Sequence, residues 1–276
     1  REGLKAWLGM HLQEALVSLH THASAVPYDL SAEARGARKV KTQALVYLAA
    51  GVPALAAELA SAQFDAADNM TDRQGAALVL AGLDTPLRDA KLAAFYQRFA
   101  GNALVIDKWF SLQAGSLHPR VLDQVEALAS HPDFTLTNPN RVRALYMALA
   151  ANLGAFHDAD GRGYRMIADL ILALDPLNPQ TAARFVAPLG RWRRIEPARA
   201  DLMRAELERI ARSCCARSAR AGRRNRAPRA QFDAGVRVGR GDHAPAEQRH
   251  ASLVVGLRTG CAGAAAVDRG DLSNHR

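Results

Sequence analysis

Apolar residues recur along this chain at spacings of three and four, which is the period of an amphipathic helix. In residues 2–22 the series is Leu4, Trp7, Leu8, Leu12, Ala15, Leu16 and Leu19. No run shows the strict alternation of apolar and polar positions, bounded by hairpin turns, that is typical of β-strands. The pattern therefore predicts an all-helical body that extends to about residue 212.

Capping residues and prolines divide this pattern into about eleven helices. Ser31 and Thr71 are expected N-caps, and Pro53 and Pro86 suit the first turn of a helix. The predicted helices cover residues 2–22, 31–50, 53–64, 72–83, 86–99, 103–114, 119–130, 140–153, 162–174, 178–190 and 197–212. So many helices with short connections favour an all-α fold, an α-solenoid or helical superhelix of antiparallel helix pairs that is HEAT-like or armadillo-like. Because no strict sequence repeat is visible, an irregular helical bundle is the alternative.

The composition of the chain changes at Ser213. Residues 213–276 contain 12 Arg, no Lys and 5 acidic residues, whereas residues 1–212 contain 24 basic and 22 acidic residues. The formal net charge of +9 therefore lies mainly in this last segment. We interpret residues 1–212 as a helical superhelical domain. Residues 213–276 are interpreted as an Arg/Ala/Gly-rich disordered tail, because this composition buries too little apolar area to offset the entropy of ordering. Nucleic-acid binding by the tail is the weaker alternative, and nucleic acid is not an expected partner.

No sequence motif in the chain provides a catalytic or metal site. The nine histidines form no H-E-x-x-H motif, and the sequence has neither a Gly-rich phosphate loop nor a nucleophile elbow. The three cysteines, Cys214, Cys215 and Cys261, lie in the tail without the spacing of a zinc site. No apolar run reaches the roughly 18 to 20 residues that span a bilayer. We therefore expect no catalytic residue, no metal ligand and no membrane span in this chain.

The segment from Phe134 to Arg194 contains more polar residues and more turn-forming residues than the packing of a core needs. Two Asn-Pro turns flank a Gly-rich turn, and each turn is expected to open a helix. The sequence Asp158-Ala-Asp160-Gly161 superficially matches the start of a calcium loop, but Arg162 stands at the fifth place and Asp169 at the twelfth. An ordinary turn before a helix is therefore favoured, with Arg162 solvated or paired with these aspartates.

Several arginines in this segment are candidate ligands for an anion. Arg141 and Arg143 lie in the first turn of a predicted helix, where a cation opposes the helix dipole, so their guanidinium groups are candidates to hold an anionic group. A salt bridge to Asp133, or simple solvation, is an equally good interpretation. Arg184, in the middle of a helix, is the other candidate for a cavity-facing cation. For Arg191-Trp192-Arg193-Arg194, packing of the Trp in the core is favoured over stacking on nucleotide bases.

Eight short motifs occur in order between residues 25 and 210. They are Asp68-Asn-Met-Thr-Asp72, Asp107-Lys-Trp-Phe110, His131-Pro with Phe134-Thr, Asn138-Pro-Asn-Arg-Val-Arg143, Phe156-His157, Asp160-Gly-Arg-Gly-Tyr164, Leu177-Asn-Pro-Gln180 and Ala183-Arg184. Together they resemble the C-terminal domain of bacterial aminopeptidase N, a family of monomeric, cytoplasmic zinc aminopeptidases. The resemblance implies a helical superhelix that closes over a catalytic domain and leaves an internal substrate cavity. It also implies that Arg143 and Arg184 match two arginines that face this cavity near the C-terminal side of the peptide.

The same resemblance implies that this chain is a fragment whose zinc ligands and general base would precede Arg1. The chain itself would then bind no cofactor, and zinc would belong to the intact enzyme. The expected partners are a peptide substrate and a catalytic domain outside this chain. A monomeric state and a cytoplasmic location without a membrane partner are also implied. The function would be to shape and close the cavity, without activity of the fragment alone; a free helical-repeat module that binds a peptide or protein is the alternative.

The likeness to the family stops near residue 210, where the family continues with a turn and one more amphipathic helix. We hypothesise a shift of reading frame near residues 211–214, and a truncated reading frame at Arg1. Translation of the other two reading frames of the DNA tests the first hypothesis. If neither of them encodes a final helix like that of the family, the hypothesis of a frame shift is wrong.

Overall fold

The computed structural model describes the backbone of residues 2–224 and the side chains of residues 2–214. Within this range the regular structure consists of α-helices with one π-helical turn and one 3-10 turn, so the prediction of an all-α chain is confirmed. The elements are α1 Glu2–His11, α2 Gln13–Ser24, α3 Ala32–Gly51, α4 Pro53–Ala66, α5 Met70–Ala81, α6 Pro86–Phe99, α7 Ala103–Ala114, α8 Val121–Ala129, α9 Pro139–Val142, the π turn Arg143–Met147, α10 Ala148–Ala151, α11 Leu153–Phe156, α12 Arg162–Leu174, α13 Pro179–Leu189, the 3-10 turn Trp192–Arg194 and α14 Pro197–Arg224.

Side-chain caps and prolines start most of the long helices. Ser31 accepts a hydrogen bond from the backbone N–H of Ala34, as the sequence predicts for the start of α3. The prediction that Thr71 caps a helix starting at Asp72 is wrong, because α5 begins two residues earlier, at Met70, and Asn69 is its cap. Proline occupies the first position of α4, α6, α9 and α13, where its missing N–H leaves no hydrogen bond unmade.

The first predicted helix is divided at Leu12, whose backbone angles (φ −110°, ψ 22°) leave the helical region. Its N–H still donates to the Leu8 carbonyl, and its own carbonyl still accepts from Leu16, so the chain bends without losing these bonds. The bend allows both α1 and α2 to pack against α3. At Gly9 the approach of α1 to α3 is so close that a Cβ atom would overlap the Tyr47 carbonyl oxygen.

Two compact units divide the chain between Gly163 and Tyr164. In the first unit α3 is the central helix, in contact with α1, α2, α4 and α5. Apolar residues of α2, α3, α4 and α5, with one residue after α5, form one core, which consists of Leu16, Ala44, Leu45, Leu48, Ala56, Ala57, Ala60, Val79, Leu80 and Leu83. Alanine supplies four of these ten positions, which lets the helices approach closely.

The second unit contains most of α12, together with α13, the 3-10 turn and α14. Its large fully buried side chains are Tyr164, Ile167, Leu174, Phe185, Leu189 and Met203. On the outer side of α14, Arg209 bridges Glu206 and Asp169 with N–O distances of 2.6 and 2.7 Å. The hydrogen bonds to these two carboxylates raise the pKa of Arg209 against the opposing effect of its desolvation.

The end of the last helix differs from the prediction. The sequence predicts an end near Arg212, whereas α14 continues to Arg224, so the first part of the predicted tail is helical. Alanine and arginine, which are abundant there, are among the best helix formers, and this local preference outweighs the missing hydrophobic period. Residues 225–276, on which the rest of the predicted disorder depends, lie outside the described residues. The domain boundary after residue 212 stays a prediction.

Candidate functional site

The turn before α9 fixes the position of the predicted site arginines. The side chain of Asn138 accepts hydrogen bonds from the backbone N–H groups of Asn140 and Arg141, at 3.1 and 3.2 Å. Pro139 provides the first helical residue. This arrangement is the cap-and-proline start that the Asn-Pro sequence predicts, and it orients the residues that follow.

Arg141 is buried, with 4% of its surface exposed, and it is anchored on three sides. Its Nε donates to Oδ1 of Asp107 at 2.5 Å, its Nη1 donates to the backbone carbonyl of Asp133 at 2.5 Å, and its guanidinium lies 4.8 Å from the centre of the Phe110 ring. The predicted salt bridge to Asp133 is therefore replaced by one to Asp107. All of these contacts are internal, so Arg141 stabilises the fold and is not a free cation.

Arg143 is in a different situation, although it lies only two residues further along. It is exposed, and it has no hydrogen-bond or ion-pair partner among residues 2–214. It is also the first residue of the π turn, which packs against α7. Single π turns inside α-helices occur frequently at functional sites. Arg143 therefore combines an unpaired charge with a firmly held backbone.

A layer of aromatic rings supports this part of the first unit. The imidazole of His131 lies between 5.2 and 5.6 Å from the ring centres of Tyr96, Trp109 and Phe110. The Tyr96 hydroxyl donates to Oδ2 of Asp133 at 2.9 Å, and this bond raises the pKa of Tyr96. Asp133 thus binds Tyr96 through its carboxylate and Arg141 through its backbone carbonyl.

The Gly-rich turn before α12 is an ordinary helix start, as predicted. Asp160 accepts a hydrogen bond from the backbone N–H of Arg162 at 2.7 Å, and Gly161 has φ +72°, a conformation that favours glycine. The Arg162 side chain does not pair with these aspartates. It binds Glu126 and Asp123 of α8, at 2.7 and 2.6 Å, and these two carboxylates raise the pKa of Arg162.

Arg184 lies in the second unit, in the middle of α13, between half-buried Ala183 and buried Phe185. Its side chain is exposed and has no hydrogen-bond or ion-pair partner among the side chains that the structure describes. Arg143 and Arg184 therefore share the same character, an exposed and unpaired guanidinium on a helical backbone. Their predicted role in one site stays a prediction, since they belong to different units.

Trp192 of the second unit is half-buried and is covered by two guanidinium groups. Arg193 lies 4.3 Å from the centre of the indole and Arg204 lies 5.9 Å from it. These distances fit cation–π contacts, which leave less of the ring free to stack on a base.

A second group of polar residues, which the sequence analysis does not identify, lies beneath α3. We call it the α3 network, and its members are His20, Lys41, Gln63 and Asp72, each at most 8% exposed. Lys41 Nζ donates to Asp72 Oδ2 at 2.7 Å, Gln63 Nε2 donates to the Asp72 carbonyl at 2.9 Å, and the His20 ring nitrogen lies 3.0 Å from Gln63 Oε1. Burial lowers the pKa of His20. A signal in the sequence was available, because Lys41 occupies the same helical stripe as buried Ala34, Leu45 and Leu48.

Within the residues that the structure describes, neither a metal site nor a membrane-spanning helix is found. No cluster of three or more His, Cys, Asp or Glu side chains within residues 2–214 could hold a metal ion. The donor set of a zinc centre is therefore not assembled by these residues. None of the helices within residues 2–224 is both long and apolar enough to cross a bilayer.

A family model described as "Domain of unknown function (DUF3458_C) ARM repeats" matches residues 1–218. The chain belongs to this ARM-repeat family. The prediction of an armadillo-like helical-repeat fold is thereby confirmed. Armadillo repeats stack short helices on one another, which agrees with the succession of helices in each unit.

Relatives of this ARM-repeat chain include whole enzymes. Aminopeptidase N of Caulobacter vibrioides is 40% identical over 212 residues, which are 76% of this chain and 25% of that protein. Aminopeptidase N of Escherichia coli is 37% identical over 211 residues, 76% of this chain and 24% of that protein. A crystal structure of Legionella pneumophila aminopeptidase A in complex with aspartic acid matches with a TM-score of 0.71 and 27% identity, over 77% of this chain and 26% of that chain.

The chain spans about a quarter of the length of the curated relatives that it matches. The predicted resemblance to the C-terminal domain of aminopeptidase N is confirmed, and the chain is the C-terminal helical domain of an aminopeptidase N-like protein.

Proposed function

We propose that this ARM-repeat domain forms the C-terminal part of a cytoplasmic, monomeric zinc aminopeptidase, which removes N-terminal residues from peptides. The domain would shape and close the substrate cavity, while a catalytic domain outside this chain would bind the zinc. The match of residues 1–218 to the family, together with the two aminopeptidase N relatives, carries this proposal. The described residues provide no zinc ligands, so the chain is expected to be inactive alone.

Arg143 and Arg184 are the residues that we propose to contact the peptide. Each guanidinium is exposed and has no acceptor within residues 2–214, so each could hold a peptide carboxylate or backbone carbonyls without breaking an internal bond. A cation near the C-terminal side of the substrate would orient the peptide, and acids in the catalytic domain would then bind the free amine.

The experiment uses a complex of this chain with the Caulobacter vibrioides aminopeptidase N from which the matching C-terminal quarter has been removed. Peptidase activity is measured on a tetrapeptide with a free carboxylate, on the same peptide amidated, and on an aminoacyl chromogenic substrate. We expect the added chain to increase activity on the tetrapeptide. Binding of the chain to unrelated proteins but not to this partner would instead favour a free peptide- or protein-binding module.

The two arginines are tested in the same complex. We expect Arg143→Ala and Arg184→Ala each to raise the KM for the free-carboxylate peptide about tenfold, because a charge-assisted hydrogen bond is lost. The KM for the amidated peptide and for the chromogenic substrate should change little. Lys108→Ala is the matched control, since Lys108 is also exposed and lies on α7, against which the π turn packs. Equal effects of Arg143→Ala and Lys108→Ala would contradict the assignment of Arg143.

A further inference from the structure

A pocket of about 400 Å³ lies above the α3 network, between α2, α3 and α4. Its lining includes the charged side chains of Arg38, Lys41 and Asp72 together with the apolar side chains of Pro27 and Leu59. Pockets of this size, with apolar walls and a few polar groups, commonly hold small organic molecules. The pocket belongs entirely to the first unit.

Arg38 is a buried cation of this pocket that has no carboxylate of residues 2–214 within ion-pair distance. It is 8% exposed, and an arginine is almost never so deeply buried without a paired anion. Its Nη2 donates to the backbone carbonyl of Asp29 at 3.0 Å, and its guanidinium lies 4.7 Å from the centre of the Tyr28 ring. Its Nε and Nη1 have no acceptor within residues 2–214.

The carboxylates near Arg38 are engaged by other donors. Asp72 accepts from Lys41 and Asn69 at 2.7 and 3.0 Å, and its other oxygen is enclosed by protein. Asp68 accepts from Asn69 at 2.9 Å, and Asp29 accepts from the backbone N–H of Ser31 at 2.6 Å. No ion pair therefore joins Arg38 to a carboxylate of the described residues.

We infer that this pocket binds a small aliphatic carboxylic acid, whose carboxylate accepts hydrogen bonds from the guanidinium of Arg38 and whose apolar part lies against Pro27 and Leu59. The planar guanidinium matches a carboxylate with two parallel hydrogen bonds. The ring of Tyr28 covers the guanidinium at 4.7 Å and restricts its movement. This site is separate from Arg143 and Arg184 and does not depend on the proposed function.

The test measures binding of three probes of one shape to the full chain by isothermal titration calorimetry. Leucine and N-acetylleucine carry the carboxylate, whereas leucinamide lacks it. We expect leucine and N-acetylleucine to bind and leucinamide to bind at least about tenfold more weakly, because the charge-assisted pair is missing. Leucinamide that binds as tightly as leucine, or no binding of either carboxylate, would overturn the inference.

Variants identify the residue that binds the carboxylate. Arg38→Gln should weaken leucine binding about tenfold or more, whereas Lys39→Gln, which removes one positive charge from the exposed side of the same helix, should leave it unchanged. Tyr28→Ala should weaken binding about two- to fivefold, since the ring fixes the guanidinium. Because Tyr28 is half-exposed, this variant also tests the site if Arg38→Gln does not fold. Unchanged binding in Tyr28→Ala, together with unchanged binding in any folded Arg38→Gln, would contradict the proposed role of Arg38.

Discussion

The α3 network and the π turn use positive charge in opposite ways. In the α3 network, Lys41 lies on the buried stripe of its helix and its ammonium binds a buried carboxylate. At the π turn, Arg143 lies on the outer side and binds nothing within the described residues. Lys41 thus has its partner within the fold and stabilises it, whereas Arg143, which is exposed and unpaired among these residues, is available to a ligand. The position on the helix, more than the residue type, separates the two roles.

The largest expected effect is on the α3 network. Lys41→Ala should lower the free energy of unfolding by about 3 to 5 kcal/mol, because it leaves the Asp72 carboxylate buried and unpaired. Urea denaturation measures this change. Lys39→Ala, on the exposed side of α3, is the control and should change stability by less than about 0.5 kcal/mol. Equal losses in the two variants would mean that the network does not stabilise the fold.

Substitution of Arg141 should have the next largest effect on the free energy of unfolding. Because Arg141 lies only two residues from Arg143, it allows a direct comparison of a buried and an exposed arginine. Arg141→Ala should destabilise the chain by about 2 to 3 kcal/mol, since the charged hydrogen bonds to Asp107 and to the Asp133 carbonyl are lost. Arg143→Ala should change the free energy of unfolding by less than about 0.5 kcal/mol. Both are measured by the same denaturation experiment. A large loss in Arg143→Ala would assign it a structural role that its exposure does not suggest.

The cap at Asn138 should contribute less than either buried pair. Asn138→Ala removes the acceptor for two backbone N–H groups of α9 and should cost about 1 kcal/mol. Asn138→Asp keeps an acceptor and should retain most of the stability. Thermal unfolding followed by circular dichroism distinguishes these outcomes, and a fully stable Asn138→Ala would show that Arg141 alone positions this helix start.

The smallest effect concerns pH. His20 and His118 are both buried, and desolvation lowers the pKa of each. The unfolded chain therefore takes up these protons at higher pH than the folded chain, so stability is present above the ordinary histidine pKa and falls as the pH decreases from about 7 to 5. His20→Gln should flatten this part of the profile, whereas His22→Gln, at an exposed position of α2, should not. Identical profiles for the two variants would contradict the role of His20.

The fold could be predicted from the sequence wherever one local signal governs the structure. The period of apolar residues and the prolines at Pro53 and Pro86 locate most helices, because these signals act within a few residues. The predicted end of the last helix was wrong. α14 continues past Arg212 because alanine and arginine favour the helical conformation even without a hydrophobic period. The bend at Leu12 has no turn residue to indicate it.

The site could be predicted only in part, for a related reason. The sequence analysis treats Arg141 and Arg143 alike, because the burial that separates them depends on the pairing of Arg141 with Asp107, which is 34 residues away. The α3 network likewise joins residues up to 43 positions apart, and such pairs leave no spacing pattern in the sequence. The buried cations Arg38 and Lys41 could have been noticed only as charges on an otherwise apolar stripe.

The π turn of residues 143–147 contains one residue more than a regular helix of the same length needs. Removal of a single residue, such as Ala144, would therefore convert α9, the turn and α10 into one continuous α-helix. The guanidinium of Arg143 would still face nearly the same way relative to α10, because the wider π turn covers with five residues about the angle that an α-helix covers with four. The π turn therefore lets the chain carry one extra residue at this point without turning the charge of Arg143 away from its present side of the helix.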